Sequence, residues 1–68
     1  MNIGDRIKSL RESAKITQET LANKIGTTKQ TVYKYENNII TNIPSDKIEL
    51  LSKALNTTPA YLMGWSEE

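Results

Sequence analysis

Apolar residues recur along much of the chain at the period of an α-helix. In the first segment Ile3, Ile7, Leu10 and Ala14 follow one another at spacings of four, three and four residues. At about 100° of rotation per residue these positions form one stripe, with Lys8 on the opposite side. The pattern predicts a first helix from about Ile3 to Ala14.

A second helix is predicted directly afterwards. Thr17 is a suitable N-cap, because its hydroxyl can accept a hydrogen bond from an N–H group of the first turn. Leu21, Ala22 and Ile25 form the apolar face. Gly26 is placed to end the helix, since glycine adopts the left-handed conformation that often follows a helix.

The third helix is predicted from Lys29 to about Asn37, with Thr28 as its N-cap and with Val32 and Tyr35 facing inward. An extended loop follows over residues 39–44, and its three isoleucines are expected to pack across the edge of the core. The second and third helices therefore form a close pair joined by a very short connection.

Two more helices complete the pattern. Ser45 is expected to cap a fourth helix that ends at Asn56 and buries one apolar face, formed by Ile48, Leu51 and Leu55. Pro59 at a first helical position predicts a short fifth helix that continues through Met63 and is closed by Gly64. The predicted fold class is all-α, a compact five-helix bundle.

The length of 68 residues fits one small domain. We assign residues 1–65 to that domain and residues 66–68, which include two glutamates, to an acidic C-terminal tail or to the start of a linker. The chain has no cysteine and no histidine, which excludes the usual zinc sites and the nucleophilic triads. The acidic residues of the predicted helices, such as Asp5, Glu12, Glu19, Glu36 and Glu49, are spread singly, so we expect no enzyme, no metal, no cofactor and no small-molecule ligand.

The formal charge of +1 hides an uneven distribution. Residues 1–34 carry seven basic and three acidic groups, a net charge of +4, whereas residues 35–68 carry two basic and five acidic groups, a net charge of −3. A basic half in a neutral chain is one signature of an anion-binding face. The longest apolar run, residues 60–63, has four residues, which predicts no membrane span and a cytoplasmic location.

The second and third predicted helices fit a helix-turn-helix, in which the second helix of the motif enters the DNA major groove. Ala22 is small where the helices cross, and Gly26 supplies the turn. The outer arc of the third helix lacks any carboxylate and consists of Lys29, Gln30, Tyr33, Lys34 and Asn37. Glutamine can pair with adenine and lysine can donate to guanine.

The segment QETLANKIGTTKQTVYKYEN, residues 18–37, resembles the core of the Cro/repressor (Cro/cI) helix-turn-helix family of lambdoid phages. The ending PAYLMGW, residues 59–65, and the loop IITNIP, residues 39–44, resemble prophage repressors of Gram-positive bacteria. The resemblance covers about residues 3–64 and implies a lambda-repressor-like domain in a bacterial host cell, associated with the nucleoid. It also implies transcriptional regulation by a homodimer on a palindromic double-stranded DNA operator.

The resemblance assigns roles to particular residues. Gln18 would touch a phosphate and brace the first reading side chain of the third helix, and Arg11 and Glu36 would form a structural ion pair. The base-reading candidates are Thr28, Lys29, Gln30 and Tyr33. The phosphate-contacting candidates are Thr17, Gln18, Thr27, Lys34, Asn37 and Asn38. The family usually has glycine where this chain has Asn38, which can still reach the left-handed region.

Large apolar groups near the end of the chain are candidates for a symmetric dimer contact, namely Leu62, Met63 and Trp65. A domain of this size can be monomeric in solution and dimerise only on its operator. Two alternatives stay open at this point. One is an antitoxin-type regulator that also binds a protein partner, and the other is a helical protein-interaction module that never meets DNA.

Overall fold

The computed structural model describes residues 2–65, which contain five helices and no strand. The helices are α1 (Ile3–Ser13), α2 (Gln18–Ile25), α3 (Lys29–Glu36), α4 (Ser45–Ala54) and α5 (Pro59–Leu62). The all-α prediction is confirmed, and three of the four helix starts that were predicted from side-chain capping lie at the expected residues. The tail predicted for residues 66–68 lies outside the described residues.

Threonine hydroxyls define three of these starts. The N–H groups of Thr20, Thr31 and Tyr61 donate to the hydroxyls of the capping residues at 3.0, 3.2 and 3.1 Å, respectively. The caps are Thr17, Thr28 and Thr58. Each bond satisfies a donor that the helix itself leaves without a partner.

The predicted start of α4 is wrong by one residue. Pro44 occupies the N-cap position without a side-chain bond, and its carbonyl accepts the first helical hydrogen bond from the Ile48 N–H at 3.0 Å. Ser45 is already the first helical residue. Its neighbour Pro44 supplies an extended backbone (φ −59°, ψ 148°) that leads into the helix without a capping hydroxyl.

The apolar faces of all five helices meet in one core. Its buried members are Ile7, Leu21, Ala22, Ile25, Val32, Tyr35, Leu51, Leu55 and Leu62. Helix α2 packs against α3 and α4, while α1 packs against α3 and α5. Ile40 and Ile43 pack on this core as predicted, but Ile39 is 61% exposed, so the predicted burial of all three loop isoleucines is wrong.

Leu62 was predicted to contact a second copy, and this prediction is wrong. Its side chain is fully buried in the core of its own domain. A short amphipathic helix must bury one face against the bundle, and Leu62 lies on that face. No helix among residues 2–65 has the length and apolar character needed to cross a bilayer.

Candidate nucleic-acid interface

Helix α3 presents one exposed polar face. Lys29, Gln30, Tyr33 and Lys34 are all exposed on it, and with Gln18 of α2 they line a shallow groove of about 250 Å³. Tyr33 is 51% exposed, although it is aromatic. None of these five side chains is acidic. The face therefore offers ammonium groups, amides and one phenol to a ligand, without repelling an anion.

The start of α3 is held by its threonine cap. The Thr28 hydroxyl accepts from the Thr31 N–H and lies 3.0 Å from the Thr31 hydroxyl. This oxygen is therefore occupied by the helix terminus, while the rest of Thr28 stays exposed beside Lys29. Thr17 has the same arrangement with Thr20 at the start of α2. The first-turn N–H groups of both helices are fixed in direction as a result.

A buried cluster that we call the Glu36 cluster stabilises the far end of α3. It consists of Glu36, Arg11 and Gln18. The Arg11 Nε donates to Glu36 Oε2 at 2.6 Å, and Arg11 Nη2 donates to Oε1 at 3.2 Å. The Glu36 carboxylate is fully buried, and 12% of the Arg11 side chain is exposed. This two-pronged geometry is the strongest form of a charged hydrogen bond, and it raises the pKa of Arg11 above its ordinary value.

The Glu36 cluster connects three helices. Arg11 Nη1 also donates to the Ile16 carbonyl at 2.9 Å, in the connection between α1 and α2. The Gln18 Nε2 donates to Glu36 Oε1 at 3.0 Å. Gln18 also lines the polar groove with Lys29 and Gln30, so its role in bracing the first reading side chain of α3 stays a prediction.

The turn after α3 positions two asparagines differently. Asn37 is exposed and its Nδ2 donates to the Tyr33 carbonyl at 2.8 Å, which leaves its amide oxygen and one N–H for a ligand. Asn38 has φ 61°, so it reaches the left-handed region as predicted. Its Oδ1 lies against Gly4 of α1, only 2.6 Å from where a Cβ would stand. The hydrophobic pattern of the chain did not predict this close approach.

A second surface feature lies at the other end of the molecule. We call it the C-terminal groove, a cleft of about 470 Å³ between the start of α4 and α5. Met63 and Trp65 are 42% and 77% exposed on it. Its other lining residues include Ile43, Pro59, Asp46 and Glu49. Two of the three predicted dimer residues are therefore exposed at one place. The acidic side chains beside them were not predicted to lie there.

Comparison with known proteins decides what kind of domain carries these features. A model of the helix-turn-helix family matches residues 7–62, nearly the whole bundle. The chain belongs to the helix-turn-helix family. The matched residues include α2, α3 and both members of the Arg11–Glu36 pair.

Solved structures narrow the resemblance to repressors of the Cro/cI type. The P22 c2 repressor in complex with a synthetic operator has a TM-score of 0.90 and 29% identity, covering 97% of this chain and 98% of that one. SinR, a master regulator for biofilm formation solved in complex with DNA, has a TM-score of 0.83 and 32% identity, covering 88% and 95%. The N-terminal DNA-binding domain of SinR from Bacillus subtilis matches similarly, with a TM-score of 0.84, 30% identity and coverage of 97% and 93%.

One curated relative is an HTH-type transcriptional regulator, y4wC of Sinorhizobium fredii. It is 37% identical over 60 residues, which is 88% of this chain and 41% of that protein. The chain therefore spans about two-fifths of this relative. The family and the fold are those of DNA-binding transcriptional regulators rather than of enzymes.

Proposed function

We propose that this helix-turn-helix domain binds double-stranded DNA sequence-specifically as part of a repressor of the phage or prophage type. The observation that carries the proposal is the exposed face of α3, where lysines, an amide and a phenol stand together without a carboxylate. An α-helix fits the major groove of B-DNA, and such side chains match the donors and acceptors of base edges. The complexes of P22 c2 with an operator and of SinR with DNA support the same interpretation.

Electrostatics would bring the domain to DNA. The net charge of +4 in residues 1–34 comes from α1, from Lys15 in the connection that follows it, and from the two lysines of α3, while α2 is neutral. Phosphate neutralisation by lysine and arginine supplies most of non-specific affinity. The one acidic side chain of α3, Glu36, is buried against Arg11 and so presents no exposed charge to the phosphates.

Base reading falls to the first turns of α3. Gln30 can form two hydrogen bonds with adenine, and Lys29 can donate to guanine O6 and N7. Tyr33, one turn further along, can contact a thymine methyl group. Thr28 contributes through its methyl group and backbone, because its hydroxyl caps α3.

Phosphate contacts fix the register of the domain on the duplex. Lys34 and Asn37 are exposed at the end of α3, and Thr17 and Gln18 are at the start of α2. Helix N-termini and polar side chains commonly supply such contacts. Thr27 and Asn38 are half-buried, so their contribution is through the backbone around each short turn.

A second copy of the chain would complete the binding unit. Met63 and Trp65 leave apolar area exposed beside the C-terminal groove, and a two-fold interface could cover it. A symmetric dimer places its two recognition helices about 34 Å apart, on successive major grooves. The operator would then be palindromic, and occupation of a promoter would repress transcription without catalysis.

Selection of bound duplexes from random DNA tests this function. The expected result is one enriched palindrome with half-sites about one helical turn apart. A matched selection with the Lys29→Ala/Gln30→Ala double variant should lose enrichment at defined positions. Failure of the wild-type protein to enrich any sequence, even at low salt, would refute the proposal.

A further inference from the structure

Lys47 of α4 contacts the end of α2 and is not among the residues that line the polar groove on α3. The last carbonyls of a helix have no partner inside the helix. At the end of α2 two of them accept from the turn, since the Thr27 N–H donates to Ala22 O at 2.9 Å and the Gly26 N–H to Asn23 O at 3.4 Å. The Ile25 carbonyl accepts from the Lys47 Nζ at 2.9 Å.

This ammonium group lies against the turn of the helix-turn-helix. A Cβ built on Gly26 would stand 3.8 Å from the Lys47 Nζ. Lys47 is half-buried, and the helix that carries it packs on α2. A positive charge at a helix C-terminus is favoured both by the helix dipole and by direct bonding to the last carbonyls. The contact therefore joins α4 to the residue that immediately precedes the turn.

The position matters because the connection is so short. Only Gly26 and Thr27 separate the end of α2 from Thr28, the N-cap of α3. Any freedom at the Ile25 carbonyl changes the direction in which α3 leaves the turn. A recognition site works well only when its supporting contacts hold the reading side chains within about 0.5 Å of the productive geometry.

We propose that Lys47 is a positioning residue that fixes the α2–α3 turn and so aims α3 at the base edges. The effect on base recognition rests on the proposed DNA-binding function. The structural role of Lys47 at the turn does not depend on DNA. Lys47 then raises sequence discrimination rather than general affinity for DNA, because its ammonium group donates to a backbone carbonyl and not to a phosphate.

Amide hydrogen exchange tests the fixing of the turn directly. The test variant Lys47→Met keeps the aliphatic stem and removes the donor. Two controls accompany it. Lys47→Arg keeps the charge and the donors, and Lys53→Met removes a lysine charge at the exposed far end of α4. In Lys47→Met we expect the Thr27 amide to exchange about tenfold faster, while α1 amides keep the wild-type rate. Lys47→Arg and Lys53→Met should match the wild type. Unchanged exchange at Thr27 in Lys47→Met overturns the proposal.

Binding to the selected operator and to an unrelated duplex of the same length tests the consequence. We expect Lys47→Met to weaken operator binding about tenfold with unchanged affinity for the unrelated duplex and an unchanged salt slope, and Lys47→Arg to restore operator binding. An equal loss on both duplexes with a shallower salt slope would mean a direct phosphate contact and overturn the proposal. If the wild-type protein binds neither duplex, the DNA-binding function fails, and the exchange result still decides the role of Lys47 at the turn.

Discussion

Glu36 is a carboxylate without solvent access on a helix whose exposed face is basic. Arg11 binds both of its oxygens, and Gln18 adds a third hydrogen bond. The family resemblance implied the Arg11–Glu36 pair, and the sequence pattern allowed it, because each residue flanks the apolar stripe of its helix. The sequence pattern could not suggest the bond from Gln18, because that depends on how the start of α2 crosses the end of α3.

Arg11→Met is the sharpest test of the Glu36 cluster. Removing the guanidinium leaves a buried carboxylate with only the Gln18 amide as partner, which should cost about 3–5 kcal/mol of unfolding free energy. Denaturant unfolding measures this loss, and Lys8→Met, which removes an exposed charge from the same helix, should stay within about 0.5 kcal/mol of the wild type. A loss below about 1 kcal/mol for Arg11→Met would mean that the pair behaves as an ordinary surface ion pair.

Truncation of base-reading residues and of phosphate-contacting residues on α3 should affect DNA binding differently. Lys29→Ala or Gln30→Ala should each cost about 1–3 kcal/mol on the preferred operator and relax discrimination at one base position. Lys34→Ala should weaken all duplexes alike and reduce the salt slope by about one unit. Binding titrations at several salt concentrations separate these effects.

The control for this comparison is Lys53→Ala, which removes an exposed lysine from α4. It should leave base discrimination unchanged. If Lys29→Ala and Gln30→Ala weakened every duplex equally, they would be phosphate contacts, and base reading would have to be assigned elsewhere on α3.

At the scale of elements, the helix starts were the most predictable feature. A threonine cap acts within its own turn, so Thr17, Thr28 and Thr58 could be identified from neighbours in the sequence. The left-handed turn at Gly26 (φ 71°) is local in the same way. The errors were at Ile39, Ser45 and Leu62, whose exposure or role depends on which element packs beside them. Periodicity marks a buried face but does not say which residues remain free for a second copy.

Gly4 allows α1 to pack closely against the end of α3, and hydrophobic periodicity does not reveal this requirement. A Cβ there would clash with the Tyr35 backbone oxygen and lie 2.6 Å from Asn38 Oδ1. Gly4→Ala should therefore push α1 away from the end of α3 and destabilise the fold by about 1–3 kcal/mol. Ser9→Ala, which also leaves an alanine in α1 but at an exposed position that already carries a Cβ, is the control and should be near neutral. Equal stability of the two variants in thermal unfolding would show that α1 can yield at no cost.

Across the whole molecule, the two candidate surfaces differ in charge as well as in shape. The polar groove on α3 lies in the basic part of the chain, while the C-terminal groove has Asp46 and Glu49 at its margin. DNA would repel the acidic margin, so the C-terminal groove is suited to protein rather than to phosphate. A net charge of +1 for the whole chain therefore says little about what either surface binds.

Trp65 provides a test of the proposed dimer contact, because its 77% exposure lets it be changed without disturbing the core. Trp65→Ala should lower affinity for a duplex with two half-sites about tenfold or more, since exposed aromatic anchors often carry much of an interface energy. Affinity for a duplex with one half-site should not change, because a single domain reads it.

Ile39→Ala is the matched control, since it removes a similarly exposed apolar side chain that does not line the C-terminal groove. It should leave the ratio of the two affinities at the wild-type value. An equal loss on both duplexes for Trp65→Ala would instead place the indole at the DNA, and no loss on either would require the second copy to pack through a different face. The ratio of the two affinities, rather than either affinity alone, therefore identifies the dimer surface.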